Sequence, residues 1–126
     1  MLLLARRAEK QKTGDAGEAV QCPSRRRPID LVHLARQTSG DRVLEADVLG
    51  MLGRQLDTLL RRLDTAPDED RRQIAHALKG TARNVGAFRL ADCAERFESA
   101  TGDAKALAHL RREAEAAANF ARSLIA

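Results

Sequence analysis

The sequence predicts an all-α domain: an up-down antiparallel four-helix bundle with a short extra N-terminal helix. Three observations lead there. The 126 residues are 44% hydrophobic but only 2% aromatic, with no Trp and no Tyr. They draw on Ala, Leu, Arg and Glu/Asp, mostly good helix formers, where a small sheet protein would draw on β-branched and aromatic residues. The apolar residues recur at steps of three and four, as one buried helix face requires. The segments so patterned are joined by short breaks, which make sequential helices antiparallel neighbours.

Taken in order, residues 1–27 show no lasting hydrophobic period and are broken by Gly14, Gly17 and Pro23, with Pro28 following. They read as a basic, disordered leader, and residues 28–126 as the folded domain. A short helix from about Asp30 to Thr38 carries Leu31, Leu34 and Ala35 on one side and stops at Ser39-Gly40. Asp41 can cap a long second helix to about Asp64, with Leu49, Leu52, Leu56, Leu59 and Leu63 inward. Pro67 breaks the chain, and Asp68, Glu69 and Asp70 favour the N-terminus of a third helix running to Val85. Gly86 is its natural C-terminal stop. A fourth helix covers about Phe88 to Ala100, with Leu90, Cys93, Ala94 and Phe97 inward. Asp103 can cap the last, which carries Leu107, Leu110, Ala114, Ala117, Ala121 and Leu124.

Net charge is +4, yet all of it belongs to the leader: residues 28–126 hold 15 basic and 15 acidic groups. A nucleic-acid binder concentrates positive charge on its folded body, so nucleic acid is not expected as a partner. The Arg25-Arg26-Arg27 run reads either as a solvated tail or as a contact for an acidic partner. Cys22 and Cys93 make no disulfide framework. No apolar run approaches the ~20 residues of a membrane span, and Leu2-Leu3-Leu4 meets Arg6-Arg7 at once, unlike a signal peptide. A cytoplasmic setting, with no membrane contact, is expected.

The third helix carries the informative chemistry. Its core stripe reads Ile74, Leu78, Thr81 and Val85. At ~100° per residue, His76 falls roughly 180–220° from these and faces solvent. Its helix-surface neighbours are Arg72, Gln73, Lys79 and Gly80, with Arg83 one turn further along. Glycine inside a helix costs about 1 kcal/mol against alanine, and what it offers at Gly80 is room for another molecule to approach the imidazole. Neutral imidazole attacks phosphorus without a dedicated base, and the basic groups can hold phosphoryl oxygens. The same spacing also fits an ordinary surface histidine among surface basics. A metal site is not expected: no Cys, Asp or Glu lies three or four residues from His76.

His76-Ala77-Leu78-Lys79-Gly80, then Asn84-Val85-Gly86, then Leu90 with Cys93 and Glu98, resembles the histidine phosphotransfer (HPt) domain. That family's signature is histidine with lysine at +3, glycine at +4 and glycine at +10, followed by leucine and small residues on the next helix. Ile29-Asp30-Leu31 is similar to the opening of many such domains, and the resemblance spans about residues 28–125. It implies a phosphorelay intermediate, accepting phosphoryl on His76 from a phospho-aspartate receiver or a histidine kinase and passing it to a response regulator. It implies Lys79 for phosphate stabilisation, Gly80 for access, and Arg72, Gln73 and Arg83 as further phosphate or partner contacts. It implies a phosphocarrier with no kinase or ATPase activity of its own, in keeping with the lack of a Gly-x-x-x-x-Gly-Lys-Ser/Thr loop. No cofactor bound by this chain is expected; Mg²⁺ would sit on the partner receiver. A monomer is expected. The alternative is a helical adaptor that keeps the fold and binds a signalling partner without being phosphorylated.

On the second helix, Leu44, Val48 and Met51 widen the apolar stripe to one side of the core line. They read either as a docking surface for a partner helix or as packing for the short first helix.

Overall fold

The computed structural model describes residues 24–125, which form five helices: α1 (Leu31–Gln37), α2 (Arg42–Thr65), α3 (Asp68–Val85), α4 (Phe88–Ser99) and α5 (Ala104–Ile125). Three of them start on an aspartate. Asp30 accepts hydrogen bonds from the N–H groups of Val32 and His33, and Asp41 from those of Val43 and Leu44. Asp103 accepts from those of Lys105 and Ala106. Each carboxylate satisfies first-turn donors that have no partner within the helix. α3 has no such side-chain cap, its N-cap residue being Pro67; the first-turn charges of Asp68, Glu69 and Asp70 favour its N-terminus electrostatically.

Each of the four longer helices packs on the next in sequence, and α5 returns to α2. The core they enclose contains Leu52, Leu56, Leu63, Leu78, Leu90, Phe97 and Leu110, none more than 1% exposed. Small residues let the backbones approach closely: Ala75 and Ala82 of α3, Ala91 and Ala94 of α4, and Ala114, Ala117 and Ala121 of α5 are all buried. Here the structure shifts two faces from their expected places. Thr81 is only half-buried, and Ala75 and Ala82 take its place in the α3 core. Leu124 is 41% exposed; the core face of α5 ends at Ala121.

The α3–α4 corner fixes the site helix. Gly86 ends α3 in the left-handed region at φ 91°, which favours glycine. Its carbonyl accepts from the Asp30 N–H at 2.8 Å. A Cβ there would stand 2.9 Å from the Asp30 carbonyl oxygen and 3.2 Å from the His33 ring. So the entry to α1 is seated on the turn between α3 and α4. His33 adds an edge-to-face contact with Phe88 and a 3.2 Å hydrogen bond to the Asn84 carbonyl. α1 therefore rests mainly against α3.

Of the leader expected over 1–27, residues 1–23 lie outside the described residues. Residues 24–27 touch α4: Arg25 donates to Asp92 at 2.7 Å and lies over the Phe88 ring, and the Arg26 carbonyl accepts from Arg89. No helix among the described residues is long and apolar enough to cross a membrane.

Candidate functional site

His76 sits in the third turn of α3 with its side chain 71% exposed. Its Nδ1 lies 3.0 Å from Oε2 of Glu98 on α4. The other oxygen of that carboxylate, Oε1, is 2.9 Å from Nζ of Lys79. Lys79 stands one turn from His76, and its side chain is mostly covered, at 18% exposed. One carboxylate thus joins the two residues. The Lys79 ammonium, and then the His76 hydrogen bond, hold the Glu98 carboxyl below its usual range.

The chemistry of this pairing assigns the imidazole. An ionised carboxylate only accepts, so Nδ1 carries the proton and donates it. The lone pair is then on Nε2, which has no hydrogen-bond partner among the described residues and belongs to an exposed ring. A nucleophilic nitrogen faces outward, and its ring is steered from behind by an acid.

Glu98 belongs to the sequence motif, but its role is not evident from the spacing around His76. The signal lies in the turn. Counting out from Gly86-Ala87, His76 is ten residues before and Glu98 eleven after, so reversing the chain there sets them side by side.

Gly80 is exposed, and a Cβ at this position would meet nothing within 4 Å. Gln73 is exposed as well. Arg72 and Arg83 are turned to carboxylates of their own: Arg72 to Glu69 at 3.0 Å and Arg83 to Glu95 at 2.8 Å. Both pairs are exposed and hold their arginines only loosely. On the side of α3 away from Glu98, a groove of about 350 Å³ runs between α2 and α3, lined by Arg54, Gln55, Thr58, Leu59, Ala77 and Thr81. Leu44 and Met51 are 44% and 52% exposed, and Val48 is half-buried against the core.

A larger cleft of about 410 Å³ between α2 and α5 contains neither histidine nor cysteine and is crossed by the Arg111–Asp64 and Arg122–Asp57 pairs. Cys93 is buried, and burial pushes its thiol up from the ordinary value, away from reactivity near neutral pH. Among the described residues no group of three His, Cys, Asp or Glu side chains is placed to hold a metal ion.

Comparison with curated proteins and with solved structures finds no match. A family model described as "Hpt domain" does match, over residues 42–120, which takes in α2, α3, α4 and most of α5 with His76, Lys79, Gly80 and Glu98. The chain belongs to the Hpt domain family, the histidine phosphotransfer domains of two-component phosphorelays.

Proposed function

We propose that this chain is a phosphorelay intermediate. It takes a phosphoryl group onto Nε2 of His76 from the phospho-aspartate of a receiver domain, or from a histidine kinase, and passes it to a response regulator. The observation that carries this reading is the Nδ1–Glu98 hydrogen bond, which leaves Nε2 as the nucleophile on an exposed face.

The step balances on this chain's own residues. The Nε2 lone pair forms the N–P bond as the P–O bond to the aspartyl group breaks, and the aspartate leaves as carboxylate. The ring keeps its Nδ1 proton, and the positive charge it gains is met by Glu98, as an acid meets an imidazolium elsewhere in catalysis. Lys79 faces the site from one turn away and offers its remaining N–H donors to phosphoryl oxygens. Gly80 leaves the approach open, so the reacting atoms can come into line. The metal ion and acid cluster that activate the aspartate belong to the receiver.

The bundle is read as up-down and antiparallel, the order its short connections favour. On it, Leu44, Val48 and Met51 with the α2–α3 groove form the receiver-docking side, while Arg72, Gln73 and Arg83 flank the phosphoryl group. The chain is read as a monomeric, cytoplasmic phosphocarrier without kinase or ATPase activity. The test is His76→Gln. It should keep the helical content and abolish phosphate acceptance from phosphorylated receivers; acceptance undiminished in this variant would overturn the proposal.

A further inference from the structure

The groove beside the His76 helix differs from the other clefts in its charge. The α2–α5 cleft is lined by arginines together with Asp57, Asp64 and Glu115. A smaller cleft between α4 and α5 is lined by arginines together with Asp92 and Glu113, and its Arg89 pairs with Glu113. The α2–α3 groove has one charged residue, Arg54, and no carboxylate. Arg54 is exposed and has no ion-pair partner among the described residues; Arg61 and Arg112 in the other two clefts are likewise unpaired, but carboxylates line those clefts with them.

The local sequence places this guanidinium. A helical side chain leans toward the N-terminus, over the residue four before it. For Arg54 that residue is Gly50, and a Cβ there would lie 3.4 Å from Nη1 of Arg54. Arg54 therefore lies back along α2 over Gly50. Leu44, Val48, Met51, Gln55 and Leu59 follow one another at steps of four, three, four and four, so they form one stripe. Its exposed apolar end, Leu44 and Met51, passes into the groove at Gln55 and Leu59, alongside Arg54.

We propose that Arg54 is a specificity-determining residue: it selects receiver domains that present a helix whose apolar face carries a carboxylate at this groove. The inference rests on the phosphorelay reading and adds the chemistry of the preferred partner. Apolar burial along the stripe seats the helix, and an unpaired cation in a groove without acids discriminates by charge. A receiver with a lysine at the facing position is rejected, because two like charges are then brought together under the docked helix.

The experiment measures transfer to the full chain from a panel of receiver domains, each phosphorylated with acetyl phosphate. It compares wild type with Arg54→Gln and Arg54→Glu. Because Arg54 is exposed and unpaired, both variants should melt with the wild type, so a loss of transfer is not a loss of fold. For the preferred receiver, Arg54→Glu should raise KM about tenfold or more with kcat little changed. Arg54→Gln should flatten the salt dependence of KM. Exchanging the facing carboxylate of the receiver for lysine should restore transfer to Arg54→Glu. If KM and its salt dependence stay at wild-type values while His76 is still phosphorylated, the inference is overturned and the phosphorelay reading stands. If no receiver phosphorylates wild-type His76, both are overturned. If wild type is a dimer that Arg54→Glu dissociates, the groove holds a second copy and the inference is overturned.

Discussion

Glu98 holds His76 and Lys79 with the two oxygens of one carboxylate, at 3.0 Å from Nδ1 and 2.9 Å from Nζ. The nucleophile and the cation meant for its cargo are therefore positioned by the same group, on a neighbouring helix. The arrangement separates orientation from charge. Glu98→Gln keeps an acceptor for the Nδ1 proton but loses the charge, whereas Glu98→Ala loses both.

Transfer should thus slow in the order Glu98→Gln, then Glu98→Ala, the latter by about ten- to a hundredfold, the usual cost of losing a ring-orienting partner. Nitrogen NMR of His76 supplies the structural readout. The Nδ1–H form should dominate in wild type, and the Nε2–H form should gain in Glu98→Ala. Equal rates, with the tautomer unchanged, would show that Glu98 is a bystander.

The same contact sets a pH dependence. Lys79 and His76 hold the Glu98 carboxyl below its ordinary value of 4.5. A depressed carboxylate contributes stability above its unfolded value, and that contribution is lost as pH falls through the folded one. The difference in unfolding free energy between wild type and Glu98→Gln should be constant above about 4.5 and shrink below it. A difference that grows on acidification would contradict the pairing.

Gly80 offers a test of access apart from chemistry. Nothing stands within 4 Å of a Cβ at this position. Gly80→Ala should raise stability by up to about 1 kcal/mol, through helix propensity and a less free unfolded chain. Gly80→Gln should fold as well, yet transfer slowly from a receiver, because its side chain enters the approach to His76. Stability and transfer rate are measured on the same samples; wild-type transfer by folded Gly80→Gln would remove the access role.

Gly86 should behave in the opposite way. Its φ of 91°, and the Asp30 carbonyl oxygen 2.9 Å from where a Cβ would stand, leave no room for a side chain. Gly86→Ala should cost at least about 1–3 kcal/mol in denaturant unfolding, since left-handed strain adds to the clash. Wild-type stability in this variant would mean that the seat of α1 on the turn is not needed.

Much of this is legible in the sequence because the helices announce themselves locally. Asp30, Asp41 and Asp103 stand just before the helices they cap, and Gly86 stands just after α3. The outward face of His76 follows from helical geometry alone. What escapes is chiefly what depends on a second helix. Ala75 and Ala82 enter the core because α3 packs closely, and alanine gives too weak a hydrophobic signal to reveal that. Arg72 and Arg83 flank His76 on the wheel, but Glu69 and Glu95 claim their guanidinium groups. Lys79 stands out as the phosphate-holding cation, but its tie to Glu98, which arrives from across the turn, is not legible in the spacing around His76.

The most direct test of the central claim is nitrogen-correlated phosphorus NMR of the full chain after incubation with a phosphorylated receiver. One phosphorus signal is expected, coupled to Nε2 of His76, lost in acid, kept in base and missing from His76→Gln. Phosphorus on Nδ1 of His76, on His33 or His109, or on a carboxylate would contradict it.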